Sequence, residues 1–456
     1  MTLRRVRARN RLAWLAAGLC AIAASGHAAV PVAHAPALDP FFEDLERRTF
    51  LYFWETANPQ NGLVPDRAPG PSWASIAAVG FALTAYPIGI ERGYVTREAA
   101  RTRVLATLRF FAATTAQHGF FYHFVDMQDG ARRDRSEVST VDTALLLGGV
   151  LMCASYFDAA TPEEAEIRRL AATIYDRADW SWAEPRPPGI VMGWRPEVGF
   201  LDANWRGYNE AMLVYILALG SATHPARADA WQEWTRNYDK HWGTVYGQTY
   251  LSFGPLFGHQ YSHVWIDFRG IQDDYMRAHG LDYFENSRRA TYAQRAYAIA
   301  NPQHWRDYGE NVWGLTACEG PGNSVQLYQG GRRHFYGYAA RGVGLRQIVD
   351  DGTIAPTAAL GSLPFAPEIV IPAALEMQRR FDGSLYSTYG FRDAFNPSVD
   401  SGWFDEHYLA IDQGPILAML ENYRTGLVWR IMQRNEHIRR GLERAGFRGG
   451  WLQNAP

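Results

Sequence analysis

The sequence predicts an all-α protein, and three observations carry that expectation. Apolar residues recur at helical spacing in about a dozen segments. Strand-like runs are few. Short connections alternate with long polar, aromatic loops, which suggests helix pairs set around an axis with the long loops at one end. An (α/α)6 barrel, or toroid, accommodates that number of helices. No linker or shift in composition divides the chain, so residues 39–446 read as one domain and 447–456 as a tail.

The elements follow in order. Residues 1–28 read as a signal peptide: Arg4, Arg5, Arg7, Arg9 and Arg11, an apolar run from Leu12 to Ala24, then small residues at Ser25 to Ala28. That run is short for a membrane span, although an uncleaved anchor is the alternative. Leu19 before Cys20 argues against a lipoprotein site. Residues 29–38 form an Ala/Pro-rich leader. Asp39 and Pro40 start a first helix that reaches about Thr56. Further helices are expected near 72–90, 96–116, 138–157, 163–179, 207–222, 226–240, 264–280, 283–299, 335–349, 365–380 and 415–445, the last being two. Phe120–Val125 and Tyr386–Phe391 are expected to be hairpin pieces.

Composition narrows the function. Charged residues make up 20% and hydrophobic residues 47%, the balance of a folded domain. Aromatics reach 14%, enough for a core and for surfaces that stack on sugar rings. Without the signal, 40 basic residues face 47 acidic ones. That excludes the basic footprint of a nucleic-acid binder and disfavours a polyanionic substrate. No later segment is long and apolar enough to span a membrane. Cys153 and Cys318 are too few to staple a domain of this size, and Cys153 reads as a buried thiol.

The candidate site lies in the loops. In Gly199–Leu217 a polar, aromatic loop turns into an apolar helix with Glu210 at the junction, beside Trp205, Arg206, Tyr208 and Asn209. Glu210 reads either as a first-turn acid favoured by the helix dipole or as a proton donor to a sugar. The donor role requires burial or a nearby acid to raise its pKa, so Glu210 is expected to be enclosed. Glycosidic cleavage needs a second carboxyl group; the candidates are Asp134, Glu137, Asp142, Asp405 and Asp412. Asp142 is a site acid or a structural hydrogen-bond acceptor. Asp412 is a site acid or a helix cap, with Pro415 suited to the helix's first position. Asp405 is a site acid or a surface acid. His259 and His263 have a metal-like spacing, but Pro255 and Gly258 argue for a loop, and sugar hydrogen bonding suits them better. No serine nucleophile elbow or phosphate-binding loop is present.

Four motifs together resemble the bacterial glucoamylase-like family, which includes the endo-β-1,2-glucanases of glycoside hydrolase family 144. They are Ser136–Thr143, Trp205–Glu210, Gly258–His263 and Ile411–Arg424, and the resemblance runs over about residues 40 to 446. It implies an (α/α)6 barrel, a periplasmic or secreted location, no metal, and inverting endo-attack on linear or cyclic β-1,2-glucan to give short sophoro-oligosaccharides; a monomer without cofactor is expected. It implies Glu210 as general acid, Asp134 and Glu137 as further acids with Glu137 activating water, and Asp405 or Asp412 as an acid near the last motif. Trp194, Trp205, Tyr208, Trp313 and Tyr386 are then expected as sugar platforms. His259, His263 and Arg269 are expected as donors to hydroxyls, with Asp142, Arg206, Asn209 and Asp412 also in contact with substrate. The alternatives are hydrolysis of or transfer on another β-glucan, a polysaccharide lyase, or a non-catalytic glycan-binding protein.

Overall fold

Apolar segments that begin at hydrogen-bonding caps build most of this protein. The computed structural model describes residues 38–114, 117–186 and 189–454. The expected signal peptide and residues 29–37 of the leader lie outside the described residues. From Leu38 onward the chain forms one compact unit. Its helices are α1 (Phe41–Thr56), α2 (Ile76–Glu91), α3 (Arg97–Ala113), α4 (Thr140–Tyr156), α5 (Pro162–Asp176), α6 (Met212–Gly220), α7 (Ala230–Thr235) and α8 (Tyr261–Trp265). They continue with α9 (Asp274–Ala278), α10 (Tyr283–Ala300), α11 (Pro356–Leu360), α12 (Pro367–Phe381), α13 (Ala410–Arg424), α14 (Leu427–Met432) and α15 (Glu436–Arg444). Ser75, Thr96, Ser139, Thr161, Asp282 and Asn435 cap their helices by accepting a first-turn N–H. Each such cap contributes ~1 kcal/mol.

Helices α2, α4, α6 and α13 are buried on nearly every side, as apolar helices without a polar face must be. They belong to a closed circuit of packing. α2 meets α4, α4 meets α6, α6 meets α8, α11 meets α13, and α13 returns to α2. Gln260, just before α8, bonds Ala358 O and Ser362 Oγ at 2.8 Å and joins α8 to α11. Glycines permit the tightest approach. A Cβ on Gly149 would stand 2.1 Å from the carbonyl oxygen of Gly80, where α4 crosses α2. α1, α3, α5 and α15 pack on the inner helices from outside.

Two buried prolines leave carbonyls that other residues satisfy. Pro87 lies inside α2 and cannot donate to Leu83 O; the buried Cys153 thiol lies 3.1 Å from that oxygen. Pro415 lies inside α13 and not at its start, so the expected boundary is corrected by one and a half turns. Ile411 O, freed by Pro415, accepts from Tyr261 Oη at 3.0 Å.

Several expected helices are shorter. Residues 207–222 give α6 alone, 226–240 give α7 and a 3-10 turn, and 264–280 contain only the end of α8 and α9. Residues 335–349 are not helical. They contain Ala339–Ala340, Gly342–Val343 and Ile348–Val349, all extended. The cause is Arg341, fully buried between them, which forms a bidentate pair with Asp351 at 2.7 and 2.8 Å and donates to carbonyls of Cys318 and Gly337. The expected hairpin at Tyr386–Phe391 is present. Phe124–Val125 pairs with Ala74–Ser75 instead of within its own run.

Candidate active site

Short strand pairs lead the chain into the inner helices at one place. Ala74–Ser75 pairs with Phe124–Val125 and runs into α2. Val138–Ser139 pairs with Gly193–Trp194 and runs into α4. Tyr408–Leu409 pairs with Arg67–Ala68 and runs into α13. Between these entries lies a cleft of ≈ 500 Å³. Asp66, Arg67, His123, Asp142, Glu210 and Glu319 supply its titratable lining, and Phe124, Phe257, Tyr261 and Tyr338 its rings.

Glu210 sits in the turn before α6. Its carbonyl accepts from Ser262 Oγ at 3.1 Å, and the same oxygen of Ser262 accepts from Leu213 N–H at 3.0 Å. Glu210 keeps an accessible edge on the cleft, while Oε2 is shut from solvent and bonded to nothing. Burial pushes this carboxyl up to about 7; its own N–H opposes the rise and the charge of Asp142 adds to it. The enclosure required of a proton donor is present.

Opposite pulls act on the acids beside it. Asp142 Oδ2 accepts from Ser139 Oγ at 2.5 Å, and Oδ1 lies 3.5 Å from His123 Nε2. His123 Nδ1 lies 3.2 Å from Glu137 Oε1, and Arg195 lies 3.4 Å from Glu137 Oε2. The His123 bond, helped by Glu137's own N–H and Arg195, holds the Glu137 carboxyl down at about 2 against burial. Burial would lower His123, but the charges of Asp142, Glu137 and Asp66 push it up to about 9. His123, Glu137 and Asp142 bring ligand atoms within 4.8 Å of one another, close enough for a cation. The imidazole already supplies positive charge at that point.

A second acidic group stands behind Arg67 and Glu319. Arg67 bonds Glu319 Oε1 at 2.9 Å and Asp66 Oδ2 at 3.3 Å. Glu319 N–H donates to Asp393 Oδ2 at 2.8 Å. Asp393 and Asp412 are both buried, and the two carboxyls act on each other. Burial raises both, and the charge of Asp393 pushes Asp412 higher still.

The remaining expected residues divide sharply. Asp134 is exposed, with a left-handed φ of 48°, and does not line the cleft. Asp405 is buried against His407 at 3.0 Å and acts on Asp393 through its charge. Asp412 is no cap; it lies within the first turn of α13. Of the five proposed platforms, only Trp194 keeps an accessible ring, beside Val138. Trp313 is 1% exposed and belongs to the core. Trp205 is buried with Nε1 on Thr140 Oγ1, and Tyr208 is stacked on Tyr283. Tyr386 is buried and bonds Asp44. These four cannot offer a ring face to a sugar, which corrects the expectation.

The expected donors are corrected in the same way. His259 and His263 are fully buried, on Phe253 O and Ser287 Oγ, and burial lowers both rings. Arg269 pairs with Asp267 under the face of Trp429. Arg206 is exposed, in a hollow with Arg186 and Asp202 away from the cleft. Asn209 Oδ1 accepts from Ala211 N–H and shapes the turn that carries Glu210. Sequence reasoning places Asp66, Arg67 and Glu319 in polar loops facing the cleft without assigning them a role, and it missed His123, Tyr338 and Asp393. The available signal was a charged residue inside an aromatic or apolar run, as in Phe121-Tyr-His-Phe124.

Comparison with known proteins places the chain in company. Residues 202–436 match the family model described as putative glucoamylase. The chain is 29% identical over 433 residues to an exo β-1,2-glucooligosaccharide sophorohydrolase (non-reducing end) of Parabacteroides distasonis. That match takes in 88% of this chain and 57% of the relative, so the chain spans little more than half of that enzyme's length. A crystal structure of a putative glucoamylase from Bacteroides uniformis superposes with a TM-score of 0.82 at 34% identity, covering 92% of this chain and 100% of that one. The endo-β-1,2-glucanase of Chitinophaga pinensis, solved with sophorotriose and glucose, superposes with a TM-score of 0.81 at 30% identity and covers 92% and 100%.

Proposed function

Because this chain belongs to the glucoamylase-like family, we propose that it is a glycoside hydrolase that cleaves β-1,2-glucan, with Glu210 as the proton donor. The observation that carries this reading is Glu210 itself: a carboxyl on the wall of a sugar-sized cleft, with one oxygen buried and unpartnered and its pKa pushed up to about 7. Such a group keeps a proton on a large fraction of molecules near pH 7, where an ordinary carboxyl has lost it, and its buried oxygen has no other partner. The closed packing circuit through α2, α4, α6, α8, α11 and α13 supports an (α/α)6 barrel as the scaffold.

Asp142 takes the second carboxyl's part in this reading. It lines the cleft and its charge acts on Glu210, whereas Glu137, the acid expected from sequence, is tied to His123 and Arg195 outside the lining. Glu210 gives its proton to the glycosidic oxygen as the bond from that oxygen to the sugar carbon breaks. Asp142 takes a proton from a water whose oxygen bonds to the same carbon from the opposite face. The products are two shorter sugars, the anomeric centre is inverted, and the two carboxyls exchange one proton with solvent before the next turnover. Arg67, Tyr261 and Tyr338 supply polar contacts and ring faces along the cleft.

Endo-attack is the favoured mode. The Chitinophaga structure that this chain resembles at 30% identity and a TM-score of 0.81 is of an endo-acting enzyme. A periplasmic or secreted location rests on the residue pattern of 1–28; among the described residues no helix is long and apolar enough to cross a membrane. Purified protein and its E210Q variant are to be incubated with linear β-1,2-glucan. A ladder of short oligosaccharides from the wild type and none from E210Q supports the substrate, the mode and the acid. Sophorose alone from the first minutes replaces endo with exo. Equal products from both forms remove Glu210 from the mechanism.

A further inference from the structure

His123 presents its two ring nitrogens to two different carboxylates, Glu137 at 3.2 Å and Asp142 at 3.5 Å. Every participant is pinned. The ring lies against Phe124 with centroids 3.8 Å apart. His123 N–H donates to Glu137 O at 2.8 Å, and His123 O accepts from Ile76 N–H at 3.2 Å, so its backbone is tied to the starts of both α4 and α2. Asp142 is held from its other oxygen by Ser139, and Glu137 from its other oxygen by Arg195.

A neutral imidazole has one N–H and one lone pair. Set between two carboxylates it would aim the lone pair at one of them. Only the doubly protonated ring donates in both directions. The charged groups around it agree: Asp142, Glu137 and Asp66 act on it, while Arg67 is bound to Asp66 and Glu319 and Arg195 to Glu137.

We propose that His123 is a positioning residue which, as an imidazolium, pairs with the Asp142 and Glu137 carboxylates and locks both in place beside Glu210. The inference rests on the reading of Glu210 and Asp142 as donor and water-activating base. It assigns a cause to the division of labour between them. The imidazolium stands 3.5 Å from one carboxyl, and burial without a cation disfavours charge on the other.

The test uses His123→Asn and His123→Gln. Asn places an amide nitrogen near the position of Nδ1 and Gln near that of Nε2, and neither carries a charge. With β-1,2-glucan as substrate, both variants are expected to lose about tenfold or more in kcat with KM changed by less than about threefold. The acid limb of kcat/KM is expected to move up by about one pH unit, since a carboxylate without its cation takes up a proton more readily. E210Q runs beside them. An unmoved acid limb in both His123 variants, with E210Q inactive, overturns the role of His123 alone. Full activity in E210Q overturns the reading beneath it. Should neither variant fold, ¹⁵N spectra of the wild-type ring, assigned through Tyr122 and Phe124, decide the matter. Two protonated nitrogens at pH 7 support the proposal, and a neutral tautomer overturns it.

Discussion

Glu210 should make the folded protein less stable at the pH where it works, and replacing it should reverse that cost. Its carboxyl has an ordinary value of 4.5 and is pushed to about 7 by burial. That step corresponds to ~3 kcal/mol. Between pH 4.5 and about 7 the folded chain holds a proton at Glu210 that the unfolded chain has lost. Stability therefore falls as pH rises through this window and is level above it. Gln has the same shape and no charge, so E210Q escapes the loss. The variant should match the wild type near pH 4.5 and exceed it by ~3 kcal/mol at pH 8. Unfolding entropy over a domain of this length is roughly 0.9 kcal/mol/K, which makes the gain ~3–4 °C in Tm. Calorimetric melts of both forms from pH 4.5 to 8 provide the assay. The difference between the forms cancels other raised acids such as Asp66, Asp393 and Glu46. A difference that does not grow with pH, or an E210Q that is the weaker form at pH 8, refutes the account of Glu210 as a buried, unpartnered acid.

Two further outcomes follow from the same structure. As Glu210 loses its proton, kcat/KM should fall on the alkaline side with a midpoint near 7, as its raised pKa requires; a plateau to pH 9 would contradict the donor role. Arg341→Ala leaves Asp351 buried without its bidentate partner and frees the carbonyls of Cys318 and Gly337 beside Glu319 and Tyr338. A loss of ~3–5 kcal/mol in denaturant unfolding is expected, and a loss under ~1 kcal/mol would show that the buried pair is dispensable.

Much of the helical frame was legible because its signals are local. Ser75, Thr96, Ser139 and Thr161 mark helix starts by a bond to an N–H three residues on, and that geometry needs no distant partner. Where distant partners intervene, the pattern misled. Arg341 lies in a segment with helical spacing, but its buried pair with Asp351 draws the chain into extended pieces. Pro415 resembles a helix start, yet Tyr261 supplies the donor that lets it stand inside α13.

The sequence by itself determined the family motifs, the inner helices and the place of Glu210, a carboxyl at the mouth of one of them. It could not sort the aromatic residues. A tryptophan or histidine has the same chemistry on a sugar platform and in a core, and Trp313, Trp205, His259 and His263 went to the core. Nor could it assemble the cleft's charges. Asp66, His123, Asp142, Glu210 and Glu319 come from separate segments, four loops and the first turn of α4, and only closure of the helix circuit brings them to one cleft. Tertiary structure alone decided the surroundings of each carboxyl, because these depend on what stands within a few ångströms of each oxygen: His123 and Ser139 at Asp142, and no partner at Glu210 Oε2, whose carboxyl burial raises.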